Sequence, residues 1–155
     1  MRNFHVPGRS AVYAAAACVA TSSPQATLAA LDILRAGGNA ADAAITASAV
    51  LCVTEPQMTG IGGDCFALIG TPDGEVAGLN GSGRASIHAD ATWLKASGLT
   101  EIAADNIHAV TVPGAVDGWA TLLERFGSRS LGDVLQPAIR LARQGHPVGP
   151  RTAHD

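Results

Sequence analysis

Gly37-Gly-Asn-Ala-Ala-Asp-Ala-Ala-Ile45, continued by Glu55-Pro-Gln-Met-Thr-Gly-Ile-Gly-Gly-Asp-Cys-Phe66, decides how this chain folds. The paired glycines supply the C-cap at which one helix stops. Asn39 is an N-cap residue for a second helix, and Asp42 falls in its first turn, near the positive end of the helix dipole. From Ala43 to Val53 no residue is charged. A helix apolar on every side has to be buried on most of them, and its alanines let neighbouring elements come close. Glu55-Pro56 ends it, because the residue before a proline is pushed out of the α region.

Upstream, Ser22 and Ser23 predict an N-cap with Pro24 tolerated in the first turn, and Gln25 stands three after Ser22 as in a capping box. Leu28, Leu31 and Leu34 share one face of the helix that follows. Downstream, Met58 to Gly63 is a loop. Cys65 to Ile69 and Val76 to Leu79 flank the turn Thr71-Pro-Asp-Gly74, which predicts a β-hairpin. A short helix is expected over Ala89 to Ser97 and a strand over Ala109 to Val112. Val116, Trp119, Leu123 and Phe126 form an apolar helical stripe after Pro113-Gly114. Ser130 with Asp133 opens another helix, with Leu135, Ile139 and Ala142 on its apolar side, and Pro137 is expected to interrupt or restart it. Gly149 to Asp155 reads as the opening of a further helix. The second helix demands more cover than these elements offer, so the expectation is an incomplete part of a larger domain spanning 1–155.

With 155 residues, 47% hydrophobic and 15% charged, the chain is globular, and no linker or repeat divides it. A formal charge of −3 without a Lys/Arg cluster removes the electrostatic footprint of nucleic-acid binding. Cys18, Cys52 and Cys65 sit among apolar neighbours without metal or disulfide spacing, and are expected as reduced core thiols. Ala11 to Ala20, after Arg2 and Arg9, mimics a signal-peptide core. The Pro7-Gly8 break and the following Thr-Ser-Ser-Pro favour a strand-to-helix joint instead, so a cytoplasmic location is expected, with the periplasm as the alternative. Nothing approaches the roughly 18 apolar residues of a membrane span.

Gly60-Ile-Gly-Gly63 lacks the spacing of a dinucleotide fingerprint and leaves a helix for a strand, so a tight joint is the expected reason for its glycines. Cys65 has no neighbouring base to activate it and reads as a structural thiol. The five histidines, His5, His88, His108, His146 and His154, show no metal-ligand spacing, and neither metal nor cofactor is expected. Trp93 and Trp119 are placed in the core. Asn80-Gly-Ser-Gly-Arg-Ala-Ser86 is a flexible, donor-rich turn at a strand end, where a guanidinium can clamp a carboxylate with two hydrogen bonds; an ordinary polar turn is the competing reading.

Taken in order, five blocks resemble the gamma-glutamyltransferase (gamma-glutamyltranspeptidase) family of N-terminal-nucleophile hydrolases. They are Val19 to Pro24, Ala30 to Ala44, Glu55 to Gly63, Val112 to Trp119 and Gln136 to Gly145. The resemblance implies an α+β fold, the αββα sandwich, incomplete in this chain. It also implies a precursor that cuts itself, so that a Thr becomes the N-terminal residue of a small subunit and attacks the acyl carbon with its own amino group as base. No catalytic residue of that kind lies in the chain, which would be the N-terminal part of the large subunit and inactive alone. Its expected partners are the rest of the large subunit, the small subunit and a small-molecule amide, with no nucleic acid or membrane. Family members proper carry Arg-Glu and shortly Ala-Pro at the segment matching Asn80 to Ser86, the Arg holding the substrate's α-carboxylate. Ungapped alignment puts Ser82 at that Arg, with Arg84 two residues on. Arg84 and Ser82 are therefore the candidate substrate-binding residues. The Gly-Ser-Gly-Arg-Ala version is similar to the branch that includes oxamate amidohydrolase, which makes a small-amide amidohydrolase the alternative activity. The non-enzymatic alternative is a binding module.

Overall fold

The Gly37-Gly38 pair closes the first helix, α1 (Pro24–Arg35), with two hydrogen bonds, Gly37 N–H to the Leu34 carbonyl at 3.0 Å and Gly38 N–H to the Ile33 carbonyl at 2.9 Å. This is the Schellman pattern, and it needs the left-handed φ of 85° at Gly37. Asn39 then caps α2 (Ala40–Thr54): its side-chain oxygen accepts from the N–H groups of Ala41 and Asp42, while Asp42 accepts from the Asn39 N–H. The computed structural model describes residues 11–103 and 106–154. Beyond α2 these form β1 (Cys65–Gly70), β2 (Val76–Gly81), α3 (Ala91–Ala96), a 3-10 turn at Ile107–Ala109, α4 (Ala115–Phe126), α5 (Leu131–Gln144) and α6 (Pro150–His154).

The uncharged α2 is the centre of the core, as its composition requires. It packs against α1, α4 and α5, and Ile45, Val50 and Thr46 are fully enclosed. Its buried hydroxyls are satisfied: Thr46 Oγ1 donates to the Val134 carbonyl at 3.0 Å and Thr54 Oγ1 to the Val50 carbonyl at 3.2 Å. α1 meets α2 through Ala26, Ala29 and Ala30, not through its leucines. Small residues on both helices bring the backbones together, and Leu28 is left on the outside, with Leu31 and Leu34 on the flanks.

β1 and β2 pair antiparallel with Cys65 opposite Gly81 and Gly70 opposite Val76. Strand alternation turns Cys65, Ala67, Ile69 and Leu79 toward the helices, where α4 crosses both strands. Phe66, Leu68 and Val76 point the other way and are 67%, 82% and 68% exposed. One helical layer and one β layer are thus present, and the outer apolar face of the hairpin is open. The architecture is α+β and partial, as the resemblance implies. Among the described residues no helix is long and apolar enough to cross a membrane.

Several local expectations are corrected. Ser22 and Gln25 form no capping box, because Ser22 Oγ donates to Glu55 Oε2 at 2.6 Å and Gln25 accepts from Ser23 Oγ at 2.9 Å. Residues 11–23 contain no strand, and Cys18 is exposed. The signal-like reading of Arg2 and Arg9, together with His5, lies outside the described residues. Pro137 sits inside α5 without breaking it. The helix gives up one N–H bond to the Asp133 carbonyl, a cost offset by burial of Val134 and Ala138 on either side. Ala142 is exposed, and Leu135 and Ile139 are only half-buried. On α4 the buried stripe is Ala115, Gly118, Trp119, Leu122 and Leu123, while Val116 is 41% exposed. Trp93 is 52% exposed and meets His108 edge-on with ring centroids 5.5 Å apart, so only Trp119 belongs to the core.

Candidate functional site

Three short segments converge where the hairpin meets the N-terminus of α4. The first is the end of the Gly-rich loop: the Gly63 carbonyl accepts from the N–H groups of both Gly114 and Ala115 at 3.0 Å. The second is the turn after β2, and the third is the run 110–114. Val112 N–H donates to the Arg84 carbonyl at 3.1 Å. The expected strand over Ala109 to Val112 is reduced to this single pairing, since Ile107–Ala109 closes into a 3-10 turn capped by the Asn106 side chain.

The glycines of the candidate turn allow close approach rather than flexibility. A Cβ on Gly83 would stand 1.4 Å from the Val112 carbonyl oxygen, and one on Gly114 would stand 2.2 Å from the Gly81 carbonyl oxygen. The turn is therefore clamped between backbones. Asn80 adds an Asx turn, its Oδ1 accepting from the Ser82 N–H at 2.9 Å. By contrast, Cβ atoms at Gly60 and Gly62 would meet nothing within 4 Å and neither has a positive φ. The tight-joint explanation of that loop is not borne out at these two positions.

Ser82 and Arg84 emerge together from this clamp, both exposed. Among the described residues the Arg84 guanidinium has no hydrogen-bond or ion-pair partner, and the ion pair present is Arg35 with Asp32. Two residues that motif reading missed join them. Asp64 Oδ1 accepts from the Gly83 N–H at 3.1 Å and from Thr111 Oγ1 at 3.4 Å, and its Oδ2 from Ser82 Oγ at 3.5 Å. The hairpin register carries the signal that could have found Asp64, because pairing Cys65 with Gly81 sets Asp64 beside Ser82.

Cys65 lies half-buried under Gly118 of α4, where an added Cβ would be 3.0 Å from the Cys65 Cβ. Burial pushes its thiol pKa up, the opposite of nucleophile activation, so it is a packing residue. Burial likewise raises Cys52, against a lowering hydrogen bond with Thr59. Cys52 lines an apolar cleft of 580 Å³ between α2, α4 and α5. Among the described residues no three His, Cys, Asp or Glu side chains gather as a metal site.

A helical layer on one face of an antiparallel hairpin, with a clamped polar turn at the strand ends, is part of an N-terminal-nucleophile hydrolase fold. Gamma-glutamyltranspeptidase from Helicobacter pylori superimposes with a TM-score of 0.84 at 30% identity, over 94% of this chain and 42% of that one. Cephalosporin acylase from Bacillus halodurans superimposes with a TM-score of 0.81 at 42% identity, over 98% of this chain and 30% of that one. The sequence profile of gamma-glutamyltranspeptidase matches residues 26–155, and the chain belongs to this family of hydrolases and transferases. Its relatives include the glutathione hydrolase-like YwrD proenzyme of Bacillus subtilis, 44% identical over 118 residues, and the acylase ACY 1 proenzyme of Pseudomonas sp., 38% identical over 147 residues. The chain covers 22% and 25% of those two proteins, about a quarter of their length.

Proposed function

We propose that this chain is the N-terminal part of the large subunit of a gamma-glutamyltranspeptidase-type proenzyme. Its complete form cleaves or transfers an acyl group from a small amide. The nucleophile is a Thr at the start of the small subunit: its Oγ attacks the acyl carbon, its amino group relays the proton to the leaving amine, and water or an acceptor amine releases the acyl group. The contribution of this chain is substrate recognition at Ser82 and Arg84. The observation that carries the assignment is an exposed guanidinium, without a partner among the described residues, on a turn that close-packed glycines hold in place. Among the described residues it makes no surface ion pair, the ordinary employment of such an Arg.

In the complete, processed protein, Arg84→Ala is expected to lower kcat/KM at least about tenfold, equivalent to about 1.4 kcal/mol of transition-state binding, with little change in melting temperature. Unchanged kinetics would return Arg84 to the protein surface. A large loss of stability would make it structural.

The second reading, a small-amide amidohydrolase such as one acting on oxamate, is favoured by Ser82 at the position of the carboxylate-clamping Arg. Loss of a buried bidentate clamp costs on the order of 2–5 kcal/mol of recognition. Side-by-side kcat/KM for a gamma-glutamyl anilide and oxamate separates the two, and the expected outcome is weak turnover of the anilide. A strong preference for the anilide would restore strict gamma-glutamyl specificity.

A further inference from the structure

Asp64 stands just beyond the Gly-rich block, and the candidate turn hangs on it. The ladder ends at the pair Cys65–Gly81, so Asp64 and Ser82 leave it side by side. From there one carboxylate ties three segments: its own loop, the turn through Gly83 N–H and Ser82 Oγ, and the run before α4 through Thr111 Oγ1. Its acceptors are spent on these donors and not on Arg84, with which it forms no ion pair. The opposite edge of the turn is held by the backbone bond from Val112 N–H to the Arg84 carbonyl. Arg84 thus leaves a short loop fastened on both sides, by a backbone on one and by a carboxylate on the other.

We infer that Asp64 is a positioning residue that fixes the direction in which the Ser82–Arg84 turn presents its side chains to an anionic amide substrate. The inference rests on Arg84 being substrate-facing. Asp64 and Ser82 are exposed and Gly83 and Thr111 only partly buried, so water replaces the lost bonds when the carboxylate is removed. What is lost is the geometry of the clamp, and misplacement of a binding group by a fraction of an ångström to an ångström weakens substrate capture.

The test uses the complete, processed enzyme with whichever of the gamma-glutamyl anilide or oxamate it turns over. Asp64→Ala is expected to raise KM about tenfold with kcat within about twofold. Hydrogen exchange across residues 80–86 should accelerate at least about tenfold. Asp64→Asn keeps an acceptor oxygen for Gly83 N–H and should hold KM within about threefold of the parent. The double variant with Arg84→Ala should be no worse than Arg84→Ala alone, since Asp64 acts through it. Unchanged exchange in the turn overturns the inference. So does a lowered KM in both Asp64 variants, which would mean that the carboxylate merely repels the substrate's acid group. Unchanged kinetics of Arg84→Ala refutes the Arg84 assignment separately, and the exchange measurement still decides whether Asp64 tethers the turn.

Discussion

Asp42→Ala should destabilise the protein by about 3–5 kcal/mol. Asp42 is fully buried at the start of α2, and among the described residues no cationic side chain is paired to it. Its oxygens accept from Asn39 N–H at 2.8 Å, Ser128 N–H at 3.0 Å, Ser128 Oγ at 2.6 Å and Arg129 N–H at 3.1 Å. One carboxylate therefore caps α2 and holds the α4–α5 connection against the α1–α2 junction. The Asn39 side chain and Arg129 reinforce it from either side, donating to the carbonyls of Phe126 and Ala36. Truncation strands four donors at once. Those at the edge recover water, which keeps the cost below the sum of four full penalties. The melting temperature of the protein should fall by at least about 5 °C, and a shift under about 1 °C would contradict this account.

The same carboxylate sets a pH dependence. Burial raises its pKa, but hydrogen bonds from Ser128, Asn39 and Arg129 together outweigh burial and hold it below the ordinary value of 3.8. A pKa lowered on folding means that the stabilisation is fully present above the unfolded value and is lost as pH falls through the folded one. Asp42→Asn has no carboxyl to protonate. The stability gap between parent and Asp42→Asn should accordingly be constant above about pH 5 and narrow as pH falls below the ordinary value of 3.8. A gap that stays constant down to pH 3 would remove the carboxylate from the explanation.

Gly83→Ala should abolish most activity of the complete enzyme, about a hundredfold or more. The new methyl would lie 1.4 Å from the Val112 carbonyl oxygen and 2.5 Å from its carbon. Both are backbone atoms, so no rotamer change relieves the overlap. The turn and the 110–114 run would have to separate by about 2 Å to reach ordinary contact. That movement breaks the Val112 N–H to Arg84 bond and the Gly83 N–H to Asp64 bond, and it redirects Arg84. Gly62→Ala is the control, because a Cβ there enters open space within this chain. Equal activity of the two variants would show that the close approach has no functional consequence.

Much of the local structure was legible in the sequence because it is set by nearest neighbours. Gly37-Gly38, Asn39 with Asp42, and Ser130 with Asp133 predict helix ends, and both expected Asp-bearing caps form as reciprocal boxes. The turn at Thr71 to Gly74 and the alternation after it give the hairpin. Where expectations failed, a partner distant in sequence had intervened. Glu55 took the Ser22 hydroxyl, and alanines rather than leucines formed the α1–α2 contact. The motif reading singled out Ser82 and Arg84 but not Asp64, whose partners lie 18, 19 and 47 residues away in the chain.

The sequence by itself determined the family, the central apolar helix and the hairpin, since composition and cap chemistry act over a few residues. The tertiary structure alone decided why Gly83 and Gly114 must be glycine, why Asp42 can be buried without a cation, and which carboxylate holds the candidate turn. Each of these depends on backbones brought within van der Waals contact across long stretches of chain, and such distances exist only once α4 has crossed the hairpin.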